Sequence, residues 1–251
     1  MWKAIWFKTS LWNDWFCSFE MTYKHIFFDL DHTLWDFERN SHETLTELYE
    51  RFDLRSFGVE SLPSFLQNFT EINKNLWNDF DQGRIAHAYI RENRFRLVFE
   101  SLGVMKLPIA DQELGEEYLR LLPQKSHLLD GAREILDHTA AKYKLHIITN
   151  GFDWIQARKM ASSGIDHYFE HVVTNERANA KKPDPQIFAY ALGAANAQKN
   201  ESIMIGDNWE ADVMGAQRFG INAVYYNPEG RVFDQKPTHD IQHLMALKDI
   251  L

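Results

Sequence analysis

Hydrophobic positions along the chain follow three patterns in succession. The first is a short unbroken run, His25-Ile26-Phe27-Phe28, of apolar and aromatic character, which leads straight into Asp29-Leu30-Asp31-His32-Thr33-Leu34. A continuous run of this length bounded by polar residues reads as a buried strand, here ending in an acidic loop. From about 36 to 124 the apolar spacing changes to threes and fours, the period of a helix. Leu45, Leu48, Tyr49 and Phe52 mark a helix over 41–52. Phe65, Leu66, Phe69, Ile72, Leu76, Trp77 and Phe80 form the stripe of a second, with Pro63 in its first turn, where proline is tolerated, and Gly83 at its end. A third is predicted over 85–102, stopping at Gly103, and a fourth over 111–122, stopping at Pro123. No strand pattern interrupts this block.

From Asp130 onward short β-rich runs alternate with helical stretches, the pattern of βαβ units and a parallel sheet. Strands are predicted at 145–149, 172–174, 203–205 and 223–226, and helices at 131–141, 153–163, 184–196 and 209–219. Gly164 and Gly220 fall where helix C-termini favour glycine. The fold class is therefore α/β. Its core is expected over 21–36 and 125–251, with the helical block at 37–124 inserted directly after the acidic loop and placed over it as a cap. Residues 1–20 differ in texture: Trp2, Trp6, Trp12 and Trp15 are half of the 8 tryptophans. The segment is expected to be a disordered, non-functional extension, with Met21 opening the fold; an interfacial amphipathic helix is the alternative.

Composition narrows the function. A formal net charge of -9 over 251 residues excludes a nucleic-acid polymer or an anionic membrane as the main partner, because either demands a basic face. A small anionic substrate would instead need positive charge supplied locally. The single cysteine, Cys17, rules out an internal disulfide and a multi-cysteine metal site, which fits a reducing cytoplasm.

Ligands of open α/β sheets bind beyond the carboxyl ends of the strands, so Asp29 and Asp31 stand where chemistry is expected. Three later stretches supply partners. Thr149-Asn150-Gly151 ends a strand with a hydroxyl and a turn whose amides can face an anion. Lys182 precedes the proline-bounded helix start Pro183-Asp184-Pro185. Gly206-Asp207 opens a second acidic loop that reaches Asp212 in the next helix. Each alone has an ordinary reading: a strand-end hydroxyl, a solvated lysine, a helix-terminal carboxylate.

Together, Asp-x-Asp-x-Thr-Leu, Thr-Asn-Gly, Lys-Pro-Asp-Pro and Gly-Asp-x-x-x-x-Asp, in this order, resemble the four motifs of the haloacid dehalogenase-like (HAD) superfamily over 23–251. The resemblance implies a Rossmannoid core with a type 1 cap. It implies that Asp29 is a nucleophile forming an aspartyl-phosphate and that Asp31 is the general acid and base. It implies that Mg2+ is held by Asp29, the Asp31 main-chain carbonyl and Asp207. Thr149, the amide of Asn150 and Lys182 would bind phosphate, Thr33 would brace the loop, and Asp212 would stand behind the metal ligands.

Members that cleave carbon-halogen bonds lack an aspartate where this chain has Asp31, so a phosphomonoesterase is expected. The stretch 72–83, with Arg91-Glu92-Asn93-Arg94-Phe95 and Ile148-Thr149-Asn150-Gly151-Phe152, is similar to YjjG-type pyrimidine 5'-nucleotidases. That similarity implies a pyrimidine nucleoside monophosphate as substrate; a sugar-phosphate phosphatase or mutase, or a non-catalytic phosphometabolite-binding module, are the alternatives. Asn73, Trp77 and Phe80 share a helical face and are candidates for contacting the base, or for packing inside the cap. Arg91, Arg94 and Arg96 read as a solvated helix face, and His32 and His146 as packing or loop residues.

Overall fold

The structure, a computed structural model, describes residues 23–104 and 111–251. The extension expected over residues 1–20 lies outside them. The chain opens with β1 (His25–Phe28), followed by α1 (Phe37–Arg51), α2 (Leu62–Asp81), α3 (His87–Ser101) and α4 (Asp111–Leu121). It continues through α5 (Ala132–Ala140), β2 (Lys144–Thr149), α6 (Asp153–Ser163), β3 (Phe169–Thr174), α7 (Asn175–Ala178) and α8 (Pro185–Ala195). Next come β4 (Ser202–Gly206), a π-helical stretch at Trp209–Met214, α9 (Gly215–Phe219), β5 (Asn222–Tyr226) and β6 (His239–Ile241). Local chemistry sets the boundaries. Asp36, Ser61 and Asp184 each accept a backbone N–H at a helix start, the latter two just before a proline in the first turn. Gly164 ends α6 at φ 63, in the left-handed region.

The strands form one parallel sheet in the order β3-β2-β1-β4-β5-β6. Successive side chains of a strand point to opposite faces, so β1 serves two cores. Ile26 and Phe28 pack with Ile147, Ile205 and Val224 into an apolar cluster that continues into Leu45, Phe65 and Tyr118 of the helical block. Phe27 packs on the other face with Ile148, Met204, Ile187 and Phe188. The chain moves outward from β1 to β3 and then crosses to β4, so the strand order reverses between β1 and β4. Phe28 is in register with Ile205, and the Asp29 N–H donates to the Ile205 carbonyl at 2.9 Å. The two acidic loops therefore leave neighbouring strand ends at the switch point, where such sheets bind ligands. Among the described residues no helix is long and apolar enough to cross a membrane.

His146 has the packing role expected of it, on β2 with no exposed surface. Its Nε2 lies 3.0 Å from Nδ1 of His25, and its Nδ1 has no hydrogen-bond partner. Burial lowers its pKa from 6.5 to about 3, and the nearby His25 and His171 add to the shift. The folded ring thus stays neutral where the unfolded one takes up a proton. Its contribution to stability is complete above pH 6.5 and is lost as pH falls toward 3. His146→Leu is expected to shrink the difference in urea midpoint between about pH 7 and about pH 4.5. An undiminished difference in that variant would place the acid sensitivity elsewhere.

Candidate active site

Asp29 leaves β1 almost fully buried, with its Oδ1 2.5 Å from Nζ of Lys182. The same ammonium donates to the Ile148 carbonyl at 2.8 Å and lies 2.6 Å from Oδ1 of Asp212. Asn150 fixes the lysine's backbone from both sides: its Oδ1 accepts from the Lys182 N–H at 2.8 Å and its Nδ2 donates to the Lys182 carbonyl at 3.1 Å. Thr149 Oγ1 accepts from Gln156 Nε2 at 2.8 Å and from the Gly151 N–H at 3.2 Å. Both lone pairs of that oxygen are used, and its hydroxyl proton is left to donate.

Asp31 stands in a different environment. Its Oδ1 lies 2.6 Å from Nζ of Lys159 and its Oδ2 accepts from Gln156 Nε2 at 2.9 Å. Lys159, on α6, is buried and holds its ammonium 4.5 Å over the ring of Trp35. Burial works to raise the Asp31 carboxyl, but Lys159 and Gln156 outweigh it and the net shift is downward. Asp29 moves the other way: burial raises it well above the usual carboxylate range, Lys182 opposes this, and Asp212 and Asp207 add to it. Lys182 itself is raised, because Asp212 and Asp29 overcome the effect of burial.

Asp207 follows β4 and is pushed up to about 7 by burial and by the charge of Asp212. Thr33 ties the two loops together, donating to Oδ1 of Asp207 at 3.3 Å and accepting from the Asp207 N–H at 3.1 Å. Behind Asp207, Asn208 Oδ1 accepts from the N–H groups of Glu210 and Ala211, and Oδ2 of Asp212 accepts from the Asn208 N–H at 3.0 Å. The π-helical stretch folds Asp212 back against the strand end. A Cβ on Gly206 would lie 2.2 Å from Asp212 Oδ2, so only glycine permits this approach. Asp29, Asp207 and Asp212 bring one carboxylate oxygen each within 4.8 Å of one another. Three carboxylates facing one ammonium leave excess negative charge, and an all-oxygen donor set of this kind suits a hard divalent cation.

One cavity of about 900 Å³ takes in Asp29, Asp31, Thr149, Asn150, Lys182 and Asp207 at the sheet and Asn73 and Trp77 on α2. Trp77 lies edge-on to Phe80 and to His87, and His87 stacks on Phe152 at 3.6 Å. Phe80 is buried with Leu76 and Ile90 in a small apolar cluster of the helical block, and Trp77 both packs against that cluster and lines the cavity. Lys181 reaches the C-terminal carbonyls of α2 at Phe80 and Asp81, and Asn208 Nδ2 donates to Asp81 Oδ2 at 3.3 Å, tying the helical block to the rim of the sheet.

The expectation of a solvated arginine face holds for Arg91 and Arg96, which pair with Glu116 and Glu100. It fails for Arg94, which is 4% exposed, because Phe69 and Tyr118 close over the guanidinium. Gln156 and Lys159 were not singled out from the sequence. Their spacing of three on the helix that follows Thr149 is the one signal that puts both on the face of the Asp31 loop.

The haloacid dehalogenase-like hydrolase profile matches residues 23–220. The chain belongs to this family. Among the HAD family's curated proteins, it is 32% identical to the pyrimidine 5'-nucleotidase PynA of Streptococcus pneumoniae over 92% of this chain and 96% of that one. It is 29% identical to the pyrimidine 5'-nucleotidase YjjG of Escherichia coli over 92% of this chain and 99% of that one. The crystal structure of the HAD-hydrolase YfnB of Bacillus subtilis, bound to magnesium, superposes with a TM-score of 0.81 at 25% identity, covering 91% of this chain and 98% of that one. The HAD fold and a phosphoric monoester hydrolase activity follow for this chain.

Proposed function

We propose that this HAD hydrolase is a magnesium-dependent 5'-nucleotidase acting on pyrimidine nucleoside monophosphates, a small-molecule enzyme of the cytoplasm. The observation that carries the reaction class is the geometry of two carboxylates on one loop, each held against its own buried ammonium, Asp29 against Lys182 and Asp31 against Lys159, with Asp207 beside Asp29. The substrate class rests on the likeness to PynA and YjjG along nearly the whole chain.

In this reading Asp29 attacks phosphorus in line, and the bond from phosphorus to the nucleoside oxygen breaks as the aspartyl-phosphate forms. Asp31, which Lys159 holds toward its ionised form in the free protein, takes up a proton before the step, gives it to the departing oxygen, and then removes one from the water that hydrolyses the intermediate. The Thr149 hydroxyl, the Asn150 amide and Lys182 hold the phosphoryl oxygens. The Asp29 and Asp207 carboxylates and the Asp31 carbonyl would hold magnesium, which supplies positive charge against the phosphate. Thr33 keeps the two loops in register, and Asp212 orients Lys182 and Asn208. The helical block at 37–124 acts as the cap, with Asn73 and Trp77 turned toward the nucleoside.

A phosphate-release screen over nucleoside monophosphates and sugar phosphates, with and without magnesium, tests the reading. Release from uridine and thymidine monophosphates, lost on chelation, is the expected result. Preference for hexose phosphates would overturn the nucleotidase, and no release from any ester would overturn the phosphatase.

A further inference from the structure

Arg94 is a charge without a counter-charge. Its guanidinium is 4% exposed and packs 4.6 Å over the ring of Tyr118 and 5.3 Å over that of Phe69. Nη1 donates to Oδ1 of Asn73 at 3.0 Å, and Nε has no hydrogen-bond partner. Among the described residues no carboxylate forms an ion pair with it, although Arg91 and Arg96 on the same helix both have one. A buried cation left unpaired is costly, and an apolar side chain of similar volume would fill the same space with less penalty. The site therefore has a use for the charge that the resting protein does not display.

Arg94 also lines the cavity that holds Asp29 and Asp31. The buried lysines of that cavity are already engaged, Lys182 with Asp29 and Asp212, and Lys159 with Asp31. Among the described buried cations of the cavity wall, Arg94 is thus the one with a nitrogen still short of an acceptor. Asn73 spends its carbonyl oxygen on Arg94, so the amide group it has left is a donor, as is every polar atom of the guanidinium. The pair can only greet an acceptor. On the wall of the same cavity, Ile90, Trp77 and Phe152 give apolar and flat surfaces, which suit a ring more than a second phosphate, for which a lone cation would be a poor match.

We propose that Arg94, oriented by Asn73, binds the base of the substrate by donating to a ring carbonyl oxygen of the pyrimidine. This rests on the nucleotidase reading above. It makes the cap contact a specific hydrogen bond, with the aromatic walls supplying the stack.

The test compares uridine monophosphate with ribose 5-phosphate, which keeps the sugar and the phosphate and lacks the base. Arg94→Gln is expected to lower the ratio of their kcat/KM values by about tenfold or more, mainly through KM for the nucleotide. A ratio unchanged from the parent enzyme, whether because both substrates suffer equally or because neither does, would overturn the proposal and leave Arg94 a packing residue. A second measurement needs no variant. On the parent enzyme, uridine monophosphate analogues with the 4-carbonyl removed, or with sulfur in place of the 2-carbonyl oxygen, should show a loss of similar size for at least one; full activity on both would overturn the proposal. If the parent enzyme prefers ribose 5-phosphate to the nucleotide, the nucleotidase reading itself fails and the proposal with it.

Discussion

Asn in place of Asp29 is expected to abolish phosphate release, lowering turnover by a factor on the order of 10⁴ or more, the scale on which removal of a covalent nucleophile acts. The amide cannot form the aspartyl-phosphate, yet almost nothing else changes. Its oxygen still accepts from Lys182 Nζ, which keeps the Ile148 carbonyl and Asp212. The backbone bond from residue 29 to the Ile205 carbonyl does not depend on the side chain. Asp29 is also one of three crowded carboxylates, and burial makes its charged form costly. Removing that charge relieves repulsion, so the thermal midpoint should hold or rise. Phosphate release, a thermal melt and acid-quench trapping of labelled phosphate on the protein check this together. Activity within tenfold of the parent would take Asp29 out of the nucleophile's role, whereas a lost midpoint would show only that the fold had failed.

Much of the sheet was legible because its strands are short apolar runs buried on both faces, and such runs need no tertiary information to be seen. What escaped lies at the edges. β3 begins at Phe169, three residues before the predicted start, because it is an edge strand where Glu170 and His171 remain partly open to solvent. β6 was not predicted at all: it is three residues long, pairs only with β5 and carries His239 and Asp240. The helix expected over 209–219 is two pieces, π-helical and then α. The wide turn comes from Asn208 and Asp212 binding backbone across the strand end, a contact that periodicity does not encode.

The sheet side of the candidate site was legible for a related reason. Asp29, Thr149 and Asp207 each stand at or one residue beyond a strand end, and Lys182 just before a helix, so locating the elements located the residues. Lys159 and Gln156 sit in mid-helix, where their residue types signal solvent. Only the packing of α6 against the Asp31 loop buries them. Arg94 is hidden by the same effect: three arginines at 91, 94 and 96 look like one charged face until Phe69 and Tyr118 from other helices enclose the middle one.

Lys159 makes the second large prediction more than a loss of activity. Asp31→Asn is expected to lower turnover on a nucleotide by roughly 10² to 10⁴, the range of a general acid and base. On p-nitrophenyl phosphate the deficit in forming the phosphoenzyme should be much smaller, because that leaving group departs without a proton. The variant also strands a cation. Lys159 is 4% exposed at its side chain and loses the charge of the carboxylate 2.6 Å away, keeping the rings of Trp35 and Phe37 beneath it. Breaking a fully buried pair costs about 3–5 kcal/mol, and the partial solvent access of Asp31 brings the expected loss to roughly 2 kcal/mol. Adding Lys159→Met to Asp31→Asn should therefore restore stability without restoring turnover. Urea midpoints and the two substrates' rates, measured on both variants, separate the roles. Equal losses in the rate of phosphoenzyme formation on nucleotide and p-nitrophenyl phosphate would deny Asp31 the leaving-group proton, and recovery of turnover in the double variant would show that Asp31 had mattered only as the counter-charge of Lys159.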